Sequence, residues 1–594
     1  MMDQPSRLFD VIAFQLEKYP KEDMLAGKVN GQWKKYSTRE VADLTMQFSS
    51  GLLQLGISRG DGSQEGKDKI AVISANRPEW IFTDLACQQV GAVLTPIYPT
   101  ISQHELAFVL NDAGARILFV GDQEILDKVT AIRDQLPALK EIFSYNKIPG
   151  IRHWTEVPAM AKQEDYPAIE AIKQGIDPEE LVTIIYTSGT TGVPKGVMLN
   201  HRNIMSNVTA CTPYLPVHSS ARALSFLPLN HIFERMVTYV YLTAGVPIYY
   251  AENMDTIADN LKEVKPTIFT TVPRLLEKVY EKIMAKGLEL KGIKRALFFW
   301  AIELGKQYEI NKHQGWWYNL QLSIANALVF KKWREALGGN IQAIVSGAAA
   351  CQVRLLKVFT AGRIPVLEGY GLTETSPVIS VNRVEEHDRM FGTVGPIISN
   401  VTVKIAEDGE ILCKGPNITI GYYKRPDMTA DAIKDGWFHT GDIGVIVNNK
   451  FLKITDRKKE LFKTSGGKFV APQPIENKFK ESPYIEQIMV VGEDQKFTSA
   501  LIVPSFTNLK SWCEKRGIPV TTNESLIANP EVKELYQQAL EKYNQFFSHV
   551  EQLKKFELLP REWTVDGGEL TPTLKLKRKV ILEKYRPVIE GIYN

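Results

Sequence analysis

Cysteine is scarce in this chain, and the few residues present are scattered. Cys87, Cys211, Cys351, Cys413 and Cys513 form no CxxC pair and are odd in number. The pattern argues against a disulfide framework or a zinc site and points to a reducing cytosol. Excess charge of either sign is also missing: 71 basic against 68 acidic residues leave a net +3. A nucleic-acid binder would carry a strong basic surplus, so no nucleic-acid partner is expected. Long hydrophobic runs are absent. The most apolar stretch, Ala296–Ile302, falls far short of the roughly 20 residues of a membrane span. The first residues lack the apolar core of a signal peptide. A cytoplasmic protein is therefore expected, with peripheral contact at the inner face of a membrane left open. Internal repeats and low-complexity tracts are lacking too. What remains, at 44% hydrophobic and 23% charged over 594 residues, is ordinary globular material, enough for roughly three to four domain-sized units.

Between Lys69 and Asp122 strand-like and helix-like patterns alternate. Ile70–Ile73 is a short apolar run, and Pro78 suits the first turn of a helix opening at Asn76–Trp80. Gly91–Leu94 reads as the next strand, Ser102–Glu105 as a capping box, and Arg116–Val120 as a third strand. Thr183–Tyr186, Ile248–Tyr250, Thr267–Thr270 and Ile341–Val345 continue the series. Such alternation predicts an α/β fold with parallel sheet, two α/β layers in one large domain. Residues at about 280–337 read as a helical insertion carrying Trp300, Trp316, Trp317 and Trp333. Those rings suit either core packing or a lipid-facing or acyl-chain-facing surface. From about Val401 the texture turns β-rich, with Asp408-Gly409 and Asn448-Asn449 as turns. The expected division is an N-terminal nucleotide-binding domain over 1–456 and a small, mobile α+β C-terminal domain over 457–594.

Chemistry is concentrated in Tyr186-Thr-Ser-Gly-Thr-Thr-Gly-Val-Pro-Lys-Gly196. Thr187, Ser188, Gly189, Thr190, Thr191 and Gly192 follow an apolar strand and supply N–H and O–H donors that can wrap phosphate oxygens. Lys195 adds a point positive charge. The GK[ST] ending of a Walker A loop is absent, and taken alone the segment could be an ordinary solvent loop. Asp442, read as a turn residue, can accept two hydrogen bonds. Arg457 offers a fork of donors. Glu374 offers a hard oxygen of the kind Mg²⁺ takes. Thr373 adds a hydroxyl, and Tyr370 a flat face that taken alone suits a core. His231 is a lone histidine, a residue often structural. Glu234 and Arg235 beside it could pair with each other. The run Lys575–Lys579 reads by itself as a basic, solvated face.

The phosphate-wrapping string resembles, almost residue for residue, that of the adenylate-forming superfamily. Glu368-Gly-Tyr-Gly-Leu-Thr-Glu374 resembles its adenine- and magnesium-binding motif, which implies that Glu368, Gly369, Tyr370 and Gly371 meet adenine, Thr373 the α-phosphate and Glu374 Mg²⁺. Gly436–Asp442 resembles its ribose motif, which implies that Asp442 accepts from the ribose diol, with Arg457 reaching the same sugar or a phosphate. Asp456–Glu460 resembles its hinge, at Lys459, and Thr571–Arg578 its catalytic-lysine motif. Ser346–Ala350 stands where the family has a second adenine-contacting turn, through Gly347 and Ala348, the latter replacing a more usual glycine. Leu574 likewise replaces the glycine that often precedes the catalytic lysine, here Lys575, with Lys577 as a rival. Leu227–Arg235 resembles the motif whose histidine, His231, sits at the acyl side.

The long-chain form of that motif, the helical insertion and the ending Lys584–Pro587 are similar to long-chain fatty acyl-CoA synthetases, over essentially the whole chain. The resemblance implies a ligase that activates a long-chain fatty acid with ATP and Mg²⁺ to acyl-AMP, then transfers the acyl group to coenzyme A. It further implies that the C-terminal domain swings about Lys459 between the two steps. Peripheral membrane contact and a homodimer are compatible with it. Two other readings stay open: a ligase that stops at acyl-AMP or serves acyl carrier protein, and a non-catalytic lipid-binding protein on a dead ligase fold.

Overall fold

The computed structural model describes residues 4–188, 194–565, 567–571 and 574–594. Two eight-stranded sheets form the larger part. One runs in the order Val378–Val381, Val366–Gly371, Ala343–Ser346, Ile268–Thr271, Ala223–Ser225, Ile248–Tyr250, Leu25–Val29, Gln32–Tyr36. Its inner pairs are parallel and its two outermost pairs antiparallel. The other runs Gly421–Tyr422, Pro194–Asn200, Leu181–Ser188, Val93–Ile97, Lys69–Ile73, Ala115–Val120, Glu141–Ser144, Arg152–His153. Every residue of Lys69–Ile73 and of Val93–Ile97 is buried. Strands covered on both faces carry continuous apolar runs rather than alternation, which is why these were legible as short hydrophobic stretches.

Helix signals mostly hold, with shifts of a few residues. Pro78 opens the helix Pro78–Gln89. That helix ends on Gly91 at φ +72°, whose N–H bonds back to Gln88. Gly91 is thus the left-handed residue closing a helix, and the strand expected to start there begins at Val93 instead. Ser102 caps Gln103–Ala113 by accepting from the Glu105 N–H at 3.3 Å. The Glu105 carboxylate takes the Ser102 hydroxyl rather than its backbone N–H, so only half of a capping box forms.

The helical insertion is present as Pro273–Glu289, Gly292–Lys306, Trp316–Ala325 and Lys331–Ala336, beginning ahead of the expected residue 280. Its buried face forms one core with Phe330, Trp333 and Phe359. A five-stranded antiparallel sheet follows, Thr402–Ile405, Glu410–Lys414, Ile433–Lys434, Trp437–Val447 and Phe451–Arg457. Asn448 and Asn449, both at φ +52°, make the hairpin turn between its last two strands, a geometry asparagine tolerates. Beyond it, Ile485–Val491, Thr498–Pro504 and Leu553–Leu558 form a separate three-stranded sheet. Its core runs from Phe462 to Ile592 and excludes residues of the larger part. Among the described residues no helix is long and apolar enough to cross a membrane.

Candidate active site

The ends of several strands meet at one cleft. Thr187 lies opposite Lys195 in the antiparallel pair Leu181–Ser188 and Pro194–Asn200. Ser188 ends the first strand; Gly189, Thr190, Thr191 and Gly192 lie outside the described residues. Lys195 Nζ donates to Glu374 Oε1 at 3.1 Å and to the Tyr422 hydroxyl at 2.8 Å. The same hydroxyl donates to Glu374 Oε1 at 2.8 Å, and the ammonium stands 4.2 Å from the Tyr422 ring centroid. Burial, then the Glu374 charge, pushes the Tyr422 phenol up, so it stays a donor. Tyr422 was not anticipated. Gly421-Tyr422 is a two-residue strand paired to Val197–Met198, a long-range pairing that no local pattern announces.

Thr373 and Glu374 are buried in a short 3₁₀ turn after the strand Val366–Gly371. That strand holds Glu368, Gly369, Tyr370 and Gly371. A Cβ on Gly371 would stand 1.7 Å from the Pro377 carbonyl oxygen, so only glycine fits. Glu368 lies opposite Ser346 and accepts from the Cys351 N–H at 2.9 Å. Burial raises its carboxyl to about 8, and its Oε2 has no partner among the described residues. The same is true of the Ser346 and Thr187 hydroxyls. Buried polar atoms are normally satisfied, so these three suit a polar ligand. Gly347 and Ala348 form the turn leaving Ala343–Ser346, with Ala348 at φ +71°. A Cβ on Gly347 would press on the Phe233 ring at 3.2 Å, and this packing ties the turn to the helix beginning beside His231.

His231 caps the helix Ile232–Thr243, its Nδ1 accepting from the Phe233 N–H at 3.1 Å. Loss of hydration and the charge of Lys575 push it down to about 4, so the ring is neutral at pH 7. Glu234 and Arg235 do not pair with each other, because neighbouring helical residues project about 100° apart. Glu234 accepts from Ser225 at 2.6 Å and from Thr270, and burial lifts it to about 7. Arg235 forms a fully buried ion pair with Asp84, joined by the Tyr239 hydroxyl at 2.7 Å. Breaking such a pair typically costs about 3–5 kcal/mol, so Arg235 clamps this helix to Pro78–Gln89.

On the opposite wall Asp442 lies within the strand Trp437–Val447 rather than in a turn, opposite Arg457. Its Oδ1 meets Arg457 Nε at 3.1 Å and its Oδ2 accepts from the Tyr370 hydroxyl at 2.7 Å. Burial raises its carboxyl, with Arg457 opposing. Lys575 enters from the smaller domain. Its ammonium is drawn down by lost hydration and by Arg457, against the pull of Asp442, Glu460 and Glu374. Lys575 nevertheless keeps part of its surface exposed. Leu574 before it adopts φ +62°, the conformation a glycine would supply. Lys577 leads into the helix Arg578–Lys584.

Lys459 lies between two ionic anchors. Lys458 is held by Asp408 at 2.5 Å and Glu410 at 3.0 Å on the larger part. Glu460 binds Arg578 at 3.1 Å, and Arg578 also binds Glu476, on the smaller part. Together the cleft offers a lysine-and-hydroxyl wall, an acidic hydroxyl-binding wall and a second lysine delivered from a separate body. That set can hold a polyphosphate ester and offset charge at phosphorus.

The chain is similar to known proteins in sequence and in fold. Residues 12–423 match the AMP-binding enzyme family and residues 460–594 its C-terminal domain. A long-chain-fatty-acid–CoA ligase of Mycobacterium bovis, FadD15, is 33% identical over 95% of this chain and 93% of its own. Human long-chain-fatty-acid–CoA ligase 1 is 33% identical over 95% of this chain and 82% of its own. In fold, a Mycobacterium tuberculosis fatty acyl CoA synthetase superposes with a TM-score of 0.64 at 21% identity, covering 99% of this chain and 100% of that one.

Proposed function

The chain belongs to the AMP-binding enzymes, among the long-chain-fatty-acid–CoA ligases, and on that premise we propose how its residues perform the reaction. It activates a long-chain fatty acid with ATP, forming acyl-AMP and pyrophosphate, and then passes the acyl group to coenzyme A, releasing AMP. The observation that carries the residue-level reading is the convergence of Lys195, Glu374, Asp442, Arg457 and Lys575 on one cleft from distant parts of the chain.

In the first step a carboxylate oxygen attacks the α-phosphorus and pyrophosphate leaves. Two anions must approach, so fixed positive charge is worth most here. Lys195, with the segment 187–192, binds the phosphates. Thr373 donates to the α-phosphate. Asp442 exchanges its Tyr370 and Arg457 contacts for the ribose hydroxyls, while Gly347, Ala348, Glu368, Gly369, Tyr370 and Gly371 frame the adenine. Neutral His231 borders the acid without adding charge. Lys575 stabilises the developing negative charge.

Glu374 suits a nucleotide-bound Mg²⁺, since both of its protein contacts fall on Oε1 and such sites need one or two carboxylates beside phosphate oxygens. Among the described residues no cluster of three His, Cys, Asp or Glu could hold a metal alone, so the ion would arrive with ATP. When bound it would supply charge neutralisation across the phosphates.

In the second step the thiol attacks the acyl carbonyl and AMP departs. The part after Lys459 turns about that residue between steps, withdrawing Lys575. The two ionic anchors on either side of Lys459 support this reading, as does the separate core of the smaller part. A cytosolic site with peripheral membrane contact belongs to the same proposal: all five cysteines are free and buried, and long acyl chains partition into bilayers.

Lys575→Ala tests it. Pyrophosphate release from ATP and palmitate should fall roughly a hundredfold or more, while thioester formation from supplied palmitoyl-AMP and coenzyme A should persist. Equal loss in both half-reactions would remove Lys575 from the first step, and an adenylation-specific loss in Lys577→Ala instead would move the role two residues on.

A further inference from the structure

The helical insertion leaves an apolar surface that the fold does not use. From Gly315 to Phe330, sixteen consecutive residues carry no charged side chain. One face of this stretch is packed: Tyr318 and Leu322 lean on the insertion core, Ala325 and Val329 are buried, and the Tyr318 hydroxyl donates to the Leu304 carbonyl at 2.9 Å. The opposite face is open. Trp316 is 74% exposed, Trp317 59% and Leu328 53%, with Leu320 and Ile324 also exposed. Positions 316, 320, 324 and 328 follow the helical period, so these side chains form a single stripe. Its two tryptophans touch edge to face at 5.5 Å.

The surroundings are basic. Between Lys286 and Lys332 there are eight Lys and Arg residues and three Glu. Lys291, Lys294, Arg295, Lys312 and Lys332 have no ion pair among the described residues. Lys312 precedes the stripe by four residues and Lys331 and Lys332 follow directly on Phe330. Elsewhere in the insertion Ile293 is also exposed, beside exposed Lys291, Lys294 and Arg295.

We infer that this face docks on an anionic lipid bilayer, with Trp316, Trp317, Leu320, Ile324 and Leu328 entering the headgroup boundary and the lysine rim meeting lipid phosphates. A stripe of aromatic and aliphatic side chains edged by cations is the composition of an interfacial helix, and tryptophan sits well where one side is apolar and the other wet. A second copy of the chain is the weaker occupant. A two-fold interface sets a patch against itself, which would bring the basic rim onto an identical basic rim, whereas anionic headgroups complement it. That the docked enzyme draws its acid from the bilayer rests on the proposed function; the docking itself does not.

The test is flotation of the full chain with vesicles of phosphatidylcholine alone or mixed with phosphatidylglycerol, without ATP or fatty acid. The expected result is binding at least roughly tenfold stronger to the anionic vesicles, with a blue shift of tryptophan emission. Trp316→Ser/Trp317→Ser should lower that binding by about tenfold or more and leave turnover of water-soluble octanoate unchanged. Lys331→Glu/Lys332→Glu, at exposed positions, should independently abolish the preference for anionic lipid. Absence of vesicle binding by the wild type, or equal binding by the tryptophan variant, overturns the proposal. So does a wild-type dimer in light scattering that the tryptophan variant converts to monomer while vesicle binding is unaltered. Lost docking with intact ligase activity would refute this surface and the membrane contact proposed above, leaving the ligase chemistry; lost ligase activity with intact docking would refute the ligase chemistry alone.

Discussion

Glu234 shows how burial turns an acidic residue into a pH-sensitive part of the structure. Its unperturbed value of 4.5 rises to about 7 inside the protein, because burial penalises the carboxylate more than Ser225 and Thr270 can offset. The folded value lies above the unfolded one, so the associated stability is fully present below pH 4.5 and is lost as pH rises through about 7. Across that window the loss is roughly 3 kcal/mol. Glu234→Gln is uncharged throughout, and its thermal midpoint should lack this decline: flatter than wild type between pH 5 and 8, and closest to or above it at the alkaline end. Two parallel curves would assign the slope to another carboxyl. At the same scale Ala348 and Leu574 occupy the left-handed region at φ +71° and +62°, where glycine carries no side-chain penalty. Both stand beside residues proposed to touch ATP, one at the adenine turn and one before Lys575.

Elements set the orientation of these residues. The helix Ile232–Thr243 carries His231 at its cap and is pinned by the buried Arg235–Asp84 pair, so its first turn holds one position against the Gly347 turn. The turn at 458–460 does the reverse. It runs from Lys458, fastened to Asp408 and Glu410, to Glu460, fastened to Arg578, which is why the proposed rotation of the small domain is assigned to Lys459. A hinge of that kind absorbs its motion in a few backbone torsions. Proline fixes φ near −65°, so Lys459→Pro should slow thioester formation from acyl-AMP more than it slows pyrophosphate release. Measuring the two half-reactions separately decides this; an undiminished thioester step would place the rotation elsewhere.

For the molecule as a whole, substrate range depends on how much of the acyl chain is taken out of water. Each buried methylene contributes about 0.8 kcal/mol, so ten of them could supply roughly 8 kcal/mol before ordering costs. Acids of about twelve to eighteen carbons should therefore exceed acetate in kcat/KM by orders of magnitude. Parallel kinetics on acetate, octanoate and palmitate check it, and a maximum at acetate would leave the adenylation chemistry in place while refuting the acyl selectivity. The two bodies also meet outside the cleft. Arg274 pairs with Glu486, and Arg354 donates to the Glu481 carbonyl at 2.7 Å, contacts that join the smaller part to the larger one.

The sequence by itself offered the strand preceding Thr187, the run Glu368–Glu374, Asp442, Arg457 and Lys575 as candidates, because each belongs to a contiguous motif that resembles one family's; Asp442 it placed in a turn, where the structure has a strand. The α/β architecture was readable because doubly covered strands must be apolar throughout. Boundaries slipped by a few residues, as at Gly91, where the left-handed turn that ends one helix occupies residues that look like the next strand. Tertiary structure alone decided which distant groups meet. Tyr422 between Lys195 and Glu374, Asp84 against Arg235, and Ser225 and Thr270 around Glu234 are separated by 9 to 227 residues from their partners. The choice between core and surface for the insertion's tryptophans was tertiary as well. Trp333 is buried while Trp316 and Trp317 face outward, because burial depends on which side of a helix the rest of the molecule covers.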